Sequence, residues 1–236
     1  MTAPPNLLND DGSASIATAF MMSHHGFRRD LARFASALDR VAPGDATRAG
    51  ALAEEWKSFH ETLHGHHHSE DTGIFPGLAE QHASVRATIE RLSADHRKID
   101  PLLLRGDQAF GTLPEAADVA AAVVRELRAL LDPHLATEEA EIVPYLRDAK
   151  AFPPPPDDAT VALYAQGFAW AMHGIAPEVL EKVSSILPEA IVRRLPDARA
   201  SFEERCMRVW GTARAGAART PIPSGGDGWP GSSTAR

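Results

Sequence analysis

Two stretches of the chain match each other without a gap: HHHSEDTGIFP at residues 66–76 and HLATEEAEIVP at residues 134–144. Both follow the pattern H-x-x-x-E-[DE]-x-x-I-[FV]-P. A histidine and a glutamate four residues apart lie one above the other on the same face of an α-helix. The repeat therefore predicts two helices, each of which presents one His–Glu pair.

Apolar residues on both sides of each motif recur every three or four positions, as one buried helix face requires. Around the first motif, the stripe of Phe59 and Leu63 continues to His66 and Glu70. Around the second motif, a stripe of leucines continues in the same way to a histidine and a glutamate. The members of this second pair are His134 and Glu138. Both pairs are therefore predicted to point into a core.

Two further histidines lie on apolar stripes of their own. His24 follows Phe20 by four residues, and His96 follows Leu92 by four. Period and turn signals predict four amphipathic helices in all. They span about 13–38, 46–80, 84–106 and 115–150. Short connections between such helices are typical of an all-α, up-down-up-down four-helix bundle.

A run of four prolines at 153–156 marks the end of this bundle, because no helix can cross it. Beyond the run, shorter helical patterns predict a smaller helical extension. The expected organisation is a disordered segment at 1–12, the bundle at 13–150, a proline-rich linker at 151–158, the helical extension at 159–212 and a disordered tail at 213–236.

The composition excludes several classes of function. A net charge of −8 argues against nucleic acid as a partner. No stretch reaches the ~18 apolar residues that a membrane helix needs, so no membrane partner is expected. The N-terminal residues show neither a basic region nor an apolar run, so a cytoplasmic protein is expected. The single cysteine, Cys206, cannot form an intramolecular disulfide.

Histidines are the unusual feature: the chain has 11, and seven of them lie between His60 and His96. A core that buries imidazoles and carboxylates without partners is costly, by several kcal/mol for each ionised group. A bound cation offsets this cost by pairing with all of them. The predicted metal ligands are His24, His66, Glu70, His96, His134 and Glu138. The alternative is a network of hydrogen-bonded His–Glu pairs without a metal.

These motifs together resemble the hemerythrin-like, or HHE cation-binding, family, in its bacterial type with a C-terminal helical extension. The match covers about 13–150 and rests on four stretches in order. They are MSHHGFRR at 22–29, the first repeat motif, Asp95-His96 and the second repeat motif. The resemblance implies two iron ions in an oxo-bridged di-iron centre with bridging carboxylates. The donor set itself also suits zinc or manganese.

One position departs from the oxygen-carrying members of that family, which have a second histidine four residues from the first on the third helix. Asp100 stands four residues after His96 here and precedes Pro101, so it is either a further candidate ligand or only a helix-end residue. A second stripe beside the first motif holds His60, His64, His67 and Asp71. These residues are either an alternative ligand frame or groups that orient the ligands.

The resemblance implies a protein that binds or reacts with O2, peroxide or NO, in sensing or in detoxification. Such a protein needs a small diatomic or peroxide ligand and an electron donor, which the sequence does not identify. Whether it is an enzyme stays open. The alternative is a metal-storage protein, or a zinc-stabilised structural or interaction bundle without redox chemistry.

Overall fold

The computed structural model describes residues 6–212, and all regular secondary structure in this range is helical. The helices are α1 (Ile16–Leu38), α2 (Ala46–Ser69), α3 (Phe75–Gln81), α4 (Arg86–Gly111), α5 (Ala117–Glu141), α6 (Asp158–Met172), α7 (Pro177–Ser184) and α8 (Glu189–Trp210). The all-α prediction is therefore confirmed. The disorder predicted for residues 1–5 and 213–236 lies outside the described residues.

Short non-α segments lie between some of these helices. The π-helical segment Glu70–Ile74 joins α2 to α3 without a break, so the second predicted helix runs from 46 to 81. Single 3-10 turns, Ala83–Val85 and Val143–Leu146, precede α4 and follow α5. The third helix is longer than predicted, because α4 continues through Pro101 to Gly111.

The chain divides into two compact units. The central unit is Asp30–Ile142. The terminal unit combines Met1–Arg29 with Val143–Arg236, of which residues 6–29 and 143–212 are described. The division falls inside α1. It differs from the expected boundary at the proline run, which placed all of 13–150 in one bundle.

Helices α2, α4 and α5 pack side by side in the central unit. His60 of α2 contacts Asp107 of α4, and Glu70 lies near His96 further back on α4, so α2 and α4 are antiparallel. Ion pairs at both ends of the α4–α5 contact show the same arrangement for that pair. They join Arg105 to Glu126 and Arg91 to Glu141. The alternation agrees with the predicted up-down order.

An aromatic cluster fixes the end of this unit away from the His–Glu motifs. The ring of Phe34, on the second half of α1, lies edge-on to Trp56, Phe59 and Phe110. Trp56 stacks on Phe110 with ring centroids 4.5 Å apart. Gly106 makes this close packing possible, because a Cβ at that position would lie 1.9 Å from the Trp56 ring. All four rings are buried, so α1, α2 and α4 share one core here.

In the terminal unit, α6 packs against α8, and the first half of α1 packs with them. The rings of Phe27 and Trp170 lie 5.0 Å apart. The buried Arg29 guanidinium donates hydrogen bonds of 2.9 Å to the carbonyl oxygens of Trp170 and His173, which end α6. These contacts explain why residues up to Arg29 group with the C-terminal helices, which the proline run alone could not indicate.

Residues 6–12, which were expected to be disordered, contact α1 and Arg147, the residue after the 3-10 turn Val143–Leu146. Leu7 is buried, and its carbonyl oxygen accepts a hydrogen bond from the Thr18 hydroxyl. Arg147 donates to the carbonyl oxygen of Leu8. One apolar side chain, the side chain of Asn9 and a few main-chain acceptors hold this segment. None of these contacts follows a helical period that the sequence could show.

No helix crosses the proline run, and α6 starts only after Asp157, whose side chain accepts a hydrogen bond from the Thr160 amide. Such N-terminal capping stabilises the first turn of a helix. Among residues 6–212, no helix combines the length and apolar character that crossing a bilayer requires.

Candidate metal centre

The π-helical turn sets the geometry of the first motif. A π-helical turn holds one more residue than an α-helical turn, so it shifts the face that the following residues present. The apolar stripe that would have continued at Ile74 passes instead to Phe75, which is buried. Glu70 begins this turn and is fully buried. Its neighbour Asp71 is exposed.

Four side chains of the central unit form a histidine-rich group. The members are His67, Glu70, His96 and His134, and one ligand atom of each lies within 4.8 Å of the others. They come from α2, the π-helical turn, α4 and α5. The ring centroids of His67 and His96 are 4.0 Å apart, and those of His96 and His134 are 4.9 Å apart. All four side chains are buried.

A second set of three, the carboxylate-rich group, overlaps with the first. It comprises His66, Glu70 and Glu138, whose ligand atoms also lie within 4.8 Å of one another. His66 Nε2 is 2.9 Å from Glu70 Oε1, and His134 Nε2 is 3.1 Å from Glu138 Oε1. Glu70 belongs to both groups. Its two oxygens therefore stand between two sets of donors.

Five of the six predicted ligands thus lie together in the central unit. His24, the sixth, lies on the first half of α1, in the terminal unit. It is buried there beside Phe20, with ring centroids 4.7 Å apart. Its role as a ligand stays a prediction from the sequence.

His67 was not among the six metal ligands predicted from the sequence. The prediction put His66 on the inner face and His67 on the stripe beside it, but both rings take part in the two groups. The side chain of His66 is 11% exposed, whereas His67 as a residue is only 2% exposed. The run of three histidines at 66–68 was the one sequence feature that could have indicated a role for His67, since the π-helical turn after it has no recognisable sequence pattern.

A cation fits these groups because several of their buried polar atoms lack a hydrogen-bond partner. Both Glu70 oxygens and His96 Nε2 are buried, and none makes a well-oriented hydrogen bond to a described residue. Buried polar atoms normally have such partners, and leaving one unsatisfied costs about 1–3 kcal/mol. Imidazole nitrogens and carboxylate oxygens converging on one point are the donors of Fe, Zn and Mn sites. A cation there would satisfy these atoms together.

The electrostatics of the groups favour neutral donors. Burial lowers the pKa of His66 to about 4, and it also lowers the pKa of His96. Both rings are therefore neutral at neutral pH, as a metal ligand must be. Burial, together with the charge of Glu138, raises the pKa of Glu70 well above its ordinary value. Two carboxylates this close do not both ionise unless a positive charge is present.

His134 differs from the other rings. Burial works against its charged form, but a hydrogen bond to Glu138 and the nearby carboxylates outweigh this effect and raise its pKa. His134 Nδ1 lies 4.0 Å from Asp95 Oδ2, beyond hydrogen-bond distance. The pair His134–Glu138 therefore holds a proton that a metal would displace.

A carboxylate outside the groups orients His96. Its Nδ1 lies 2.9 Å from Asp71 Oδ2, and the Ser93 hydroxyl donates to Asp71 Oδ1 at 2.6 Å. Burial would raise the pKa of Asp71, but the hydrogen bonds from Ser93 and His96 lower it below its ordinary value. An ionised Asp71 accepts the Nδ1 proton and leaves Nε2 directed at Glu70, 3.4 Å away. Asp71 thus orients the His96 ring. This is one of the two alternatives that the sequence left open for Asp71.

Asp100, the other candidate ligand, belongs to neither group. Its Oδ1 lies 3.8 Å from His64 Nδ1, and both side chains are substantially exposed. The position four residues after His96 therefore contributes no donor to the buried groups. Asp100 is also not a helix end, since α4 continues past it.

Helices that bring imidazoles and carboxylates into overlapping buried groups define a cation-binding helical bundle. The chain belongs to the hemerythrin HHE cation-binding domain family, since the model of that family matches residues 15–157, more than half of the chain. The resemblance noted in the sequence is therefore confirmed. No curated protein and no solved structure matches the chain.

Proposed function

We propose that the chain is a non-heme di-iron protein whose buried groups hold two iron ions, one in the histidine-rich group and one in the carboxylate-rich group. The observation that supports this most is the shared position of Glu70, which belongs to both groups. A carboxylate with two oxygens can bridge two cations. Glu138 in the carboxylate-rich group would be the second bridging residue.

Iron is the cation that the resemblance to hemerythrin-like proteins implies. The donors are compatible with it, because non-heme iron binds imidazole and carboxylate. Once bound, iron would supply one-electron redox chemistry and coordination positions that protein donors leave open. The ligands we propose for those positions are O2, peroxide or NO, with an electron donor of unknown identity.

The chain's own residues determine which ligands can enter. Leu63 and Leu92 each lie one helical turn before a donor and are buried, as are Phe59 and Ile99 on the same helix faces. An apolar surrounding favours a small neutral ligand over a large charged one. Hydrogen bonds such as that from His96 to Asp71 hold the rings in one orientation. The site is thus arranged to bind a small molecule away from water.

The test is the visible spectrum of the iron-loaded chain. The oxidised protein should be yellow-brown, and its bands should change when azide, peroxide or NO is added; the reduced protein should change with O2. The variant Glu70→Ala should lose both the colour and the changes, because Glu70 serves both groups. Glu61→Ala, whose side chain on the outside of α2 is 69% exposed, is the matched control and should behave like the parent.

An iron-loaded chain whose spectrum none of these ligands changes would contradict the redox proposal. It would favour metal storage or a structural role. A chain that takes up zinc and no iron would favour the zinc-stabilised bundle instead.

A further inference from the structure

A second pair of histidines lies on α2, away from the buried groups. His60 and His64 are four residues apart, so their side chains share one face of the helix. Their ring centroids are 6.4 Å apart. The side chain of His60 is 20% exposed and that of His64 is 61% exposed. Neither belongs to the histidine-rich or carboxylate-rich group.

Each of these rings has a carboxylate of α4 beside its Nδ1. Both oxygens of Asp107 accept from His60 Nδ1, at 3.0 and 2.9 Å. Asp100 Oδ1 lies 3.8 Å from His64 Nδ1, beyond hydrogen-bond distance, so only His60 is oriented by a hydrogen bond to a carboxylate. A carboxylate at Nδ1 keeps the proton on that nitrogen and leaves the lone pair on Nε2. Metal-binding histidines commonly have this arrangement, which fixes the orientation of the ring.

The carboxylate beside His60 is itself held in place. Asp107 Oδ1 accepts a hydrogen bond of 3.1 Å from the indole Nε1 of Trp56. Trp56 is buried in the aromatic cluster against Phe110, where Gly106 leaves room for its ring. The orientation of His60 therefore derives from the core of the central unit. A surface histidine without such support would keep its rotamer freedom.

We infer that His60 and His64 form a second metal site, on the outer face of α2, for one borderline divalent cation such as Zn²⁺, Cu²⁺ or Ni²⁺. The two Nε2 atoms are the protein donors, and water fills the remaining positions. Imidazole is a preferred donor of these cations. The exposed His64 ring can turn to bring its Nε2 toward that of His60. The inference does not depend on the proposed di-iron function, because it uses none of the buried donors.

Calorimetric titration with Zn²⁺ of the full chain, already loaded with iron, tests the inference. We expect one Zn²⁺ to bind per chain with no loss of iron. His60→Ala and His64→Ala should each weaken this binding at least about tenfold, and Asp107→Asn by about tenfold, as loss of an orienting partner commonly does. The control is His68→Ala, an exposed histidine four residues beyond His64 on the same helix, which should bind Zn²⁺ like the parent.

Three results would overturn the inference. The first is Zn²⁺ binding that is unchanged in both His60→Ala and His64→Ala. The second is loss of binding in His68→Ala with retention in His60→Ala, because the pair would then be His64 and His68. The third is Zn²⁺ uptake only in exchange for iron. The helical circular dichroism signal checks the fold of each variant, and His64→Ala, which changes a mostly exposed side chain, keeps the test valid if His60→Ala does not fold.

Discussion

The imidazole of His67 stacks on that of His96, with the planes of the two rings 13° from parallel. The contact joins α2 to α4 in the middle of the histidine-rich group, and both residues are buried. One nitrogen of each ring lies within 4.8 Å of a carboxylate oxygen of Glu70. His67 is therefore close enough to be a ligand, although the helical period of the sequence favoured His66.

The first prediction concerns this residue. His67→Ala should lower the metal content of the purified chain by about one ion, because it removes a donor from the histidine-rich group and leaves the carboxylate-rich group intact. Elemental analysis against protein concentration measures this. The exposed neighbour is the control, and His68→Ala should keep the parent's content. An unchanged metal content in His67→Ala would show that His67 packs beside the site and is not a ligand.

The second prediction concerns the orientation of His96. Asp71→Asn removes the charged acceptor of the His96 Nδ1 proton and should weaken metal binding by about 10–100-fold, the usual effect of losing such a partner. Competition with a chelator measures the affinity. Asp95→Asn is the matched control, because Asp95 lies 4.0 Å from His134 Nδ1 and makes no hydrogen bond to it. Equal losses in the two variants would show that only the net charge near the site matters.

The third prediction follows from the raised pKa values of Glu70 and His134. Both groups hold protons at a higher pH than usual, and a metal binds only their deprotonated forms. Metal binding at neutral pH should therefore release about one proton or more, and the apparent affinity should rise with pH. Calorimetry of the metal-free full chain in buffers of different ionisation enthalpy counts the protons. A binding heat that is independent of the buffer would contradict the prediction.

The fourth prediction tests the aromatic cluster. Gly106→Ala places a Cβ against the Trp56 ring and should lower the free energy of unfolding by about 1–3 kcal/mol, the usual cost of overpacking a core. Gly111→Ala, at the end of the same helix, meets no atom within 4 Å and should be neutral or slightly stabilising. Urea unfolding measures both variants. A Gly106→Ala chain as stable as Gly111→Ala would contradict the prediction. It would show that α2 and α4 move apart at little cost to make room for the added Cβ.

Much of the central unit could be predicted from the sequence because its helices are amphipathic over long stretches. The buried positions of Leu52, Trp56, Phe59 and Leu63 follow directly from their spacing, and so does the convergence of the two His–Glu pairs. A repeated motif is informative because each copy supports the other. The helix pairing then follows from short connections.

Other features depend on contacts that no local pattern encodes. The π-helical turn at Glu70 changes which neighbours face inward, and its residues have no composition that marks it. α4 continues through Pro101, since the rest of the helix is held by packing such as that of Leu103 and Phe110. The grouping of the first half of α1 with the C-terminal helices rests on Arg29 and Trp170, which are 141 positions apart.

The central claim is that two iron ions share Glu70. The most direct measurement is the iron content of the full chain purified from iron-fed cells, determined per chain by mass spectrometry together with the visible spectrum. The account predicts about two irons per chain and a yellow-brown colour, in the manner of two-metal sites. A ratio near one with both His–Glu motifs intact, or a colourless chain filled with zinc, would contradict it.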